Sequence, residues 1–423
     1  METTTAIHPA IIISETTGRN RPDRAFEGVE ALLNPSHIPG STELPLKVLQ
    51  VDPSLFTAPY DAALSAGLAA NHVESLWATR ALRDGEDDLL GSLRRSFFYR
   101  LTDGHRRRSG AGWKLVKGIE HGAGLSTLVR MAAQEQVDLV HFQWALVPML
   151  DRFAIARLQR RCPVVVTVHD TTPLNGARGG AQTSGYDRML AQADALIVHL
   201  DSGRAALVER GVAANKIHVV PHGPLPLAAA APEARDQRWR IVLFGKIQAY
   251  KGVDVAIEAL GMLPAQVRDG LDVVIAGEPM IDLAPLRQRI AELRLERVID
   301  LRPRRFDESE MASLLRSADA FALPYRLIEA SGVLHLIADL GRWIVASDTG
   351  SLHDLLTGRH DLGELVPAGD AAMLAAALER SIGRRPEIKA AAGAAEWADI
   401  GALTRSIYER LIAAKAAQDV SAF

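Results

Sequence analysis

The sequence predicts an α/β protein with two doubly wound domains in tandem, each built on a parallel sheet. Short apolar runs that are typical of buried strands alternate with helical segments from residue 46 onwards. Such alternation produces parallel sheets with right-handed crossovers. A Pro- and Ala-rich stretch near residues 226–236 interrupts the alternation, which then begins again. The length of 423 residues also suits two domains better than one.

The predicted elements divide the chain into five parts. Residues 1–44 are rich in Thr, Pro, Glu, Gly and Asn and lack periodicity, so we expect a flexible leader. The N-terminal domain covers 45–225, a linker 226–236, the C-terminal domain 237–394, and a C-terminal helix 395–423 that crosses back to the first domain. Strands are predicted at 46–52, 73–78, 139–143, 164–169, 195–199 and 217–220 in the first domain, and at 241–244, 273–276, 298–301, 320–322 and 343–346 in the second.

Composition excludes several classes of protein. A formal net charge of −3 argues against a generic nucleic-acid binder, which carries a basic excess. Cys162 is the single cysteine, so no intrachain disulfide can form, as is typical of a reducing compartment. No apolar run is long enough to span a bilayer, and no signal peptide is evident. We therefore expect a cytoplasmic protein, or one that is peripheral on the inner face of the cytoplasmic membrane.

The segment 240–260, RIVLFGKIQAYKGVDVAIEAL, combines a strand, a glycine turn and a helix start. The apolar run ends at Gly245, Lys246 and Lys251 follow, and Gly252 opens a periodic helix. Cations at the carboxyl end of a strand, beside a helix N-terminus, suit a diphosphate. The alternative is an ordinary βα unit whose lysines are solvated.

A second strand–loop–helix unit spans residues 322–350. Its loop carries Glu329, and Ser331, Gly332, Val333 and Leu334 open the helix. The first N–H groups of a helix lack an intrahelical acceptor and can hold a phosphate, and a glycine lets the backbone approach closely. For Glu329 the alternative is a solvated loop carboxylate.

Other candidate residues lie in the N-terminal domain. His169 ends an apolar strand, and a side chain at that place points into the crevice of a doubly wound domain. The alternative is a strand-end histidine that the backbone satisfies. Tyr60 and Asp61 follow the first strand and are candidate acceptor contacts, although Asp61 fits a plain helix N-cap equally well. We assign a structural role to His199.

These segments resemble family 4 glycosyltransferases with the GT-B fold, and the resemblance covers about residues 45–415. In that family the cations at 246 and 251 hold the donor diphosphate, and the start of the second helix binds the distal phosphate. The residues at 329 and 169 meet the donor sugar. The resemblance implies two Rossmann-like domains that face a central cleft, a nucleoside diphosphate sugar donor, and a carbohydrate or lipid-linked acceptor. It also implies a retaining reaction without a metal or another cofactor.

The chain departs from the family at the second glutamate of its E-x7-E motif. That residue should fall near Leu336 or Ile337, which are both apolar. It usually contacts the nucleotide ribose, so ribose recognition lacks its usual side chain here. We expect Lys251 to neutralise the leaving diphosphate while Glu329 and His169 orient the sugar, in the synthesis of a bacterial polysaccharide or glycolipid.

Two other classes of function stay open at this stage. A nucleotide-sugar epimerase shares the same architecture, and it would convert the donor without any acceptor. A non-catalytic nucleotide-sugar-binding partner subunit would bind the donor and leave it unchanged.

Residues 94–117 form a basic and aromatic segment. It contains eight Lys or Arg residues and four aromatic residues, against Asp103 as its one acidic residue. This composition suits an anionic membrane surface. The alternative is a solvated basic loop, or one that pairs with the acidic run at 84–88.

Overall fold

Two parallel sheets organise the chain, one on each side of a strand-free stretch between residues 219 and 239. The computed structural model describes residues 45–103, 111–171, 185–328, 331–357, 359–386 and 393–421. The expected leader at 1–44 lies outside these ranges. Both sheets alternate strands with helices, which confirms the predicted pair of doubly wound domains.

The first sheet has seven strands within the described residues, in the order β3-β2-β1-β4-β5-β6-β7, and all pairs are parallel. Its inner strands are rich in valine and fully buried, as parallel strands covered by helices on both faces must be. The elements are β1 (Leu46–Asp52), α1 (Ala58–Ala69), β2 (Val73–Arg80), β3 (Arg94–Phe98), α2 (Ala111–Gln134), β4 (Leu139–Phe142), α3 (Pro148–Leu158), β5 (Val164–Thr167), α4 (Tyr186–Gln192), β6 (Ala195–Val198), α5 (Asp201–Glu209) and β7 (Ile217–Val219).

The second sheet has six strands in the part of the chain that the structure describes, in the order β10-β9-β8-β11-β12-β13, again all parallel. The elements are β8 (Trp239–Phe244), α6 (Val253–Met262), α7 (Ala265–Asp269), β9 (Leu271–Ala276), α8 (Ala284–Glu292), β10 (Ile299–Arg302), α9 (Glu308–Ser317), β11 (Ala320–Leu323), α10 (Gly332–Ile337), β12 (Trp343–Ser347), α11 (Gly350–Leu356), β13 (Gly363–Val366), α12 (Ala371–Ser381) and α13 (Gly393–Ser421).

The strand order reverses beside the first strand of each sheet, between β1 and β4 and between β8 and β11. Crevices at such switch points, outside the carboxyl ends of the strands, are where doubly wound domains bind ligands. The loops that follow β1, β4, β8 and β11, together with the loop after β5 next to β4, therefore define where a site is expected.

The long helix α13 returns to the first domain and packs against α1. A Cβ on Gly401 of α13 would lie 2.1 Å from the carbonyl oxygen of Gly67 of α1, so the two helices touch through their backbones. The Tyr408 hydroxyl lies 2.7 Å from Nδ1 of the buried His141, and the Trp397 indole donates to the Pro224 carbonyl at 2.7 Å. Buried rings and hydrogen bonds therefore tie the end of the chain to the first sheet.

The described parts of the basic segment are structured, so the alternative of a solvated loop does not hold for them. Residues 94–98 form the edge strand β3, and α2 begins at Ala111. Phe98 and Tyr99 are buried beneath α2, and apolar burial of this kind is what orders the segment. Arg94 pairs with Asp88 at 2.7 Å, as the alternative reading of the acidic run predicted.

Candidate active site

The turn that follows β8 is pressed against the end of β11. Gly245 has φ 117° and Gly252 has φ 66°, and both values favour glycine. A Cβ on Gly252 would lie 1.8 Å from the carbonyl oxygen of Pro324, so no side chain fits there. The glycine turn therefore brings Lys251 over the end of the neighbouring strand.

Lys251 is the central side chain of this turn. Its Nζ donates to the Tyr325 hydroxyl at 2.7 Å and lies 4.1 Å from the centroid of the same ring. A Cβ on Gly245 would lie 3.4 Å from that Nζ, so the ammonium borders the glycine turn. The Tyr325 side chain thus fixes the Lys251 ammonium at the carboxyl edge of the second sheet.

Two cations of this turn have no acidic partner in the part of the chain that the structure describes. Lys246 and Lys251 line a depression at the carboxyl ends of β8 and β11. Nearby Arg326 is paired with Asp254, whereas neither lysine lies within ion-pairing distance of a carboxylate among the described residues. Positive charge without a counter-ion, in a concave site at strand ends, favours an anionic ligand.

The start of α10 lies beside the same turn. A Cβ on Gly245 would lie 3.2 Å from Cγ2 of Val333. Ser331 is the N-cap, and its carbonyl and side-chain oxygens accept from the Leu334 amide at 3.0 and 3.4 Å. This bonding corrects the expectation for Leu334, whose N–H is already used. The amides of Gly332 and Val333 precede the first intrahelical bond and remain the candidates for a phosphate.

Glu329 lies outside the described residues, so its contact with the donor sugar stays a prediction. The positions where the family has its second glutamate are occupied by apolar side chains that pack into the second domain. Ile337 is fully buried there, and Leu336 packs against the same cluster. Within the described residues, the site thus offers no carboxylate at the place of that glutamate.

His169 stands at the carboxyl end of β5 in the facing domain. Its ring stacks on Trp144, with the centroids 5.0 Å apart, and meets the Tyr60 ring edge-on at 5.1 Å. Its Nδ1 lies 3.1 Å from Nε2 of His199. Its Nε2 is buried and has no hydrogen-bond partner among the described residues. Packing on three sides therefore fixes the orientation of the His169 ring.

Burial keeps this part of the cleft uncharged. It lowers the pKa of His199 to about 4, and it holds the pKa of His169 well below its ordinary value, with the neighbouring imidazoles adding to the effect. Both rings are consequently neutral at pH 7.

Two further histidines connect the domains. His222 follows β7, and its ring stacks on that of His335 in α10, with the centroids 3.7 Å apart. The Leu225 amide also donates to the His335 carbonyl at 3.0 Å. Burial lowers the pKa of His335 to about 4 and holds the pKa of His222 well below its ordinary value, so the stack is uncharged at neutral pH. It forms a short bridge across the cleft floor between β7 and α10.

Tyr60 and Asp61 are buried, which corrects the expectation that they contact the acceptor. Asp61 has no exposed surface and accepts from the Thr57 hydroxyl at 3.2 Å. Burial, and then the charge of Asp52, raise the pKa of Asp61 well above its usual range. Tyr60 is 3% exposed and packs on His169 and His199. Both residues are therefore packed behind the site and do not face a ligand.

Tyr325, Trp144 and His335 belong to the site but were not predicted from the sequence. Tyr325 could have been found, because it lies two residues after the end of β11 and the ends of β8 and β11 adjoin at the switch point. Trp144 lies two residues after the end of β4 at the other switch point, so the same rule applies to it. His335 had no comparable signal, because its neighbour His222 comes from the other domain.

Comparison with known families gives two matches that together cover most of the chain. The model described as Glycosyltransferase Family 4 matches residues 62–224, and the model described as Glycosyl transferases group 1 matches residues 238–383. The two matches fall on the first and second sheets.

Two relatives of known name align with about half of the chain. The D-inositol 3-phosphate glycosyltransferase of Jonesia denitrificans is 28% identical over 259 residues, which are 54% of this chain and 60% of that protein. The MMP alpha-(1->4)-mannosyltransferase of Mycolicibacterium hassiacum is 27% identical over 232 residues, which are 52% of this chain and 55% of that protein. The chain thus spans less than two thirds of either relative.

A solved structure supports the fold over nearly the whole chain. HepE from Anabaena, in complex with UDP and glucose, aligns with a TM-score of 0.60 over 89% of this chain and all of that one. The sequence identity is 17%, so this likeness shows the fold alone. It agrees with two Rossmann-like domains on either side of a cleft.

Proposed function

The chain belongs to the family 4 glycosyltransferases with the GT-B fold, and on that premise we propose that it transfers a sugar from a nucleoside diphosphate sugar to a carbohydrate or lipid-linked acceptor. The acceptor would belong to the synthesis of a bacterial polysaccharide or glycolipid. The observation that carries the proposal is the pair of cations after β8, which have no acidic partner among the described residues. A diphosphate would supply the negative charge that pairs with them.

Leaving-group stabilisation is the main catalytic contribution in this proposal. Negative charge grows on the diphosphate as the glycosidic bond breaks, and fixed cations and amides placed there favour the transition state over the ground state. Lys251 is held by the Tyr325 hydroxyl at 2.7 Å, so it requires little reorganisation. Lys246 and the amides of Gly332 and Val333 would complete the anion site.

The sugar would lie between the two domains, against His169 and Glu329. His169 is at the end of β5 and has an unpartnered nitrogen among the described residues. We place the reaction in the retaining class, with the leaving phosphate taking the acceptor's proton. Such a route requires neither a carboxylate pair nor a metal.

Turnover assays test this proposal and separate it from the alternatives. A thermal-shift screen of nucleoside diphosphates and their sugars selects the donor, because a ligand that binds the folded state raises its apparent stability. Mass spectrometry then follows that donor with D-inositol 3-phosphate, after which one relative is named, and with saccharide and lipid-linked acceptors.

We expect glycoside and free nucleoside diphosphate to appear together, and only when acceptor is present. Conversion of the donor to an isomer without acceptor would identify an epimerase. Donor binding with background turnover for every acceptor would identify a binding subunit. Either result would remove the transferase proposal.

We also propose that the first domain rests on anionic membrane, in line with a lipid-linked acceptor at the cytoplasmic face. No helix in the described ranges is both long and apolar enough to cross a bilayer. Leu115 and Ile119, four residues apart on α2, are 66% and 65% exposed, and Leu101 is 72% exposed. Lys114 and Lys117 lie on the same turns. Exposed apolar side chains in a basic segment suit a lipid interface.

The structure changes which residues of the basic segment are candidates for this contact. Phe98 and Tyr99 are buried and Arg94 is paired with Asp88, so none of these three is free to meet lipid. The basic run at 106–108 lies outside the described residues, and its part in binding stays a prediction.

Liposome flotation tests the membrane contact. Wild type should float with anionic vesicles at low salt and be released at high salt, because each basic residue near the surface contributes about 1 kcal/mol that salt screens. Leu115→Ser with Ile119→Ser should weaken flotation, as should changing Arg106, Arg107 and Arg108 to Ser. Met280→Ser is the matched control, since it removes an exposed apolar side chain from the second domain. Wild type that stays in solution with anionic vesicles at low salt would disprove the contact.

A further inference from the structure

The hydrogen-bond chain that ends at His169 sets the direction of each bond in it. His199 Nδ1 lies 3.0 Å from the carbonyl oxygen of Val220. A carbonyl oxygen can only accept, so His199 Nδ1 must carry the proton. A neutral imidazole has one N–H, and His199 Nε2 is therefore bare.

The same reasoning extends to the second ring. Nε2 of His199 lies 3.1 Å from Nδ1 of His169, and a bare nitrogen can only accept. His169 must then donate from Nδ1, which leaves its own Nε2 bare. Burial lowers the pKa of both histidines, so the neutral forms on which this reasoning depends are the forms present at pH 7.

The bare Nε2 of His169 has no partner among the described residues although it is buried. Such a group costs about 1–3 kcal/mol when it is left unsatisfied, so native structures rarely keep one without a reason. Trp144 and Tyr60 fix the ring, which prevents the nitrogen from turning elsewhere. A ligand that brings a hydrogen-bond donor would satisfy it.

We infer that His199 is a positioning residue, which holds His169 in the tautomer whose Nε2 only accepts, so that His169 binds a hydroxyl group of the transferred sugar. The inference rests on the proposed function for the identity of the ligand. The fixed tautomer would make the N-terminal half of the site selective among donor sugars. A sugar with a hydroxyl at the position facing His169 is bound, and one with a carboxylate or no substituent there is disfavoured.

Two substitutions of His199 separate this role from plain packing. His199→Phe keeps a ring against Tyr60 but offers no acceptor to His169. His199→Gln keeps both functions, because its amide can donate to the Val220 carbonyl and accept from His169. We expect the Phe variant to lose about tenfold in kcat/KM, the worth of one neutral hydrogen bond, and the Gln variant to recover most of that loss. Equal losses in both variants would overturn the positioning role.

Imidazole ¹⁵N spectra read the tautomer directly and do not depend on activity. His169→Gln identifies the His169 signals among the 13 histidines of the chain. We expect a bare Nε2 and a protonated Nδ1 at His169 in wild type and in His199→Gln, and a mixture of tautomers in His199→Phe. A protonated Nε2 at His169 in wild type would overturn the inference even if the enzyme transfers sugar as proposed.

Ligand titrations in the same spectra decide what meets the nitrogen. The intact donor found by thermal shift should move the His169 Nε2 signal, and the bare nucleoside diphosphate should not. A shift that appears only with acceptor would mean that the acceptor hydroxyl is the partner, and it would overturn the assignment to the transferred sugar. No shift with either ligand would overturn the binding role altogether. Absence of turnover with every donor would count against the proposed function and leave the tautomer result standing.

Discussion

The C-terminal half of the cleft presents ammonium groups and helix amides, whereas the N-terminal half presents neutral rings. Lys246 and Lys251 have no acidic partner among the described residues, while burial keeps His169 and His199 uncharged. A nucleoside diphosphate sugar is divided in the same way, into a charged diphosphate and an uncharged ring. We therefore expect the C-terminal half to stabilise the transition state and the N-terminal half to orient the sugar.

Lys251→Ala should produce the largest effect of any substitution in the cleft. It removes a preorganised charge from the leaving group, which costs on the order of 3 kcal/mol, so kcat should fall at least about a hundredfold. The melting temperature should stay close to that of wild type, because Lys251 is only partly buried and its hydrogen bond is to the Tyr325 hydroxyl. Steady-state kinetics and thermal unfolding measure the two quantities.

Lys246→Ala is the matched control for that charge. Lys246 is exposed, so water and salt screen it more strongly, and we expect a smaller loss of kcat than for Lys251→Ala. Near-wild-type kinetics in Lys251→Ala would contradict the claim that the C-terminal half of the cleft stabilises the transition state.

Glu329→Ala should have an intermediate effect and should act on the sugar rather than on the nucleotide. We expect the intact donor to bind about tenfold more weakly, because a hydrogen bond to a charged group is lost, while the bare nucleoside diphosphate binds as before. Calorimetry with both ligands makes the measurement, and Glu329→Gln tests whether the charge is needed. Equal losses for the two ligands would place Glu329 at the phosphates instead.

His335→Ala should have the smallest effect, because it breaks only the stack that joins the halves. Aromatic pairs contribute about 0.5–1.5 kcal/mol beyond their burial, so we expect kcat/KM to fall a few fold. His335→Phe preserves a ring against His222 and should restore the loss. If Phe is as impaired as Ala, the bridge acts through a polar contact and not through stacking.

The C-terminal half could be predicted from the sequence because one contiguous segment builds most of it. Gly245, Lys246, Lys251 and Gly252 lie within eight residues, and their types fix the turn, the charge and the helix start together. Even the missed Tyr325 follows a predicted strand. The amide of Leu334 was misassigned because the cap hydrogen bond of Ser331 depends on the local geometry of a six-residue helix.

The N-terminal half could be predicted only in part, because it is assembled from distant strand ends. His169 was located, but its partner His199 comes from the next strand, and the direction of their bond depends on the Val220 carbonyl. Tyr60 and Asp61 have types that suit a ligand, yet the packing of α1 and α13 buries them. The short edge strand β3 was not predicted, because its arginines interrupt the apolar pattern by which a strand is recognised. Its aromatic residues are nevertheless covered by α2.

Binding of a nucleoside diphosphate tests most directly whether the turn after β8 is the diphosphate site. The ligand is the diphosphate that gives the largest thermal shift, and the method is calorimetry with wild type, Lys251→Ala and Lys415→Ala. Lys415 pairs with Asp419 on α13 and serves as a lysine outside the cleft. We predict equal affinity for wild type and Lys415→Ala, and binding at least about tenfold weaker for Lys251→Ala. Unchanged affinity in Lys251→Ala would contradict the diphosphate site and the division of the cleft that depends on it.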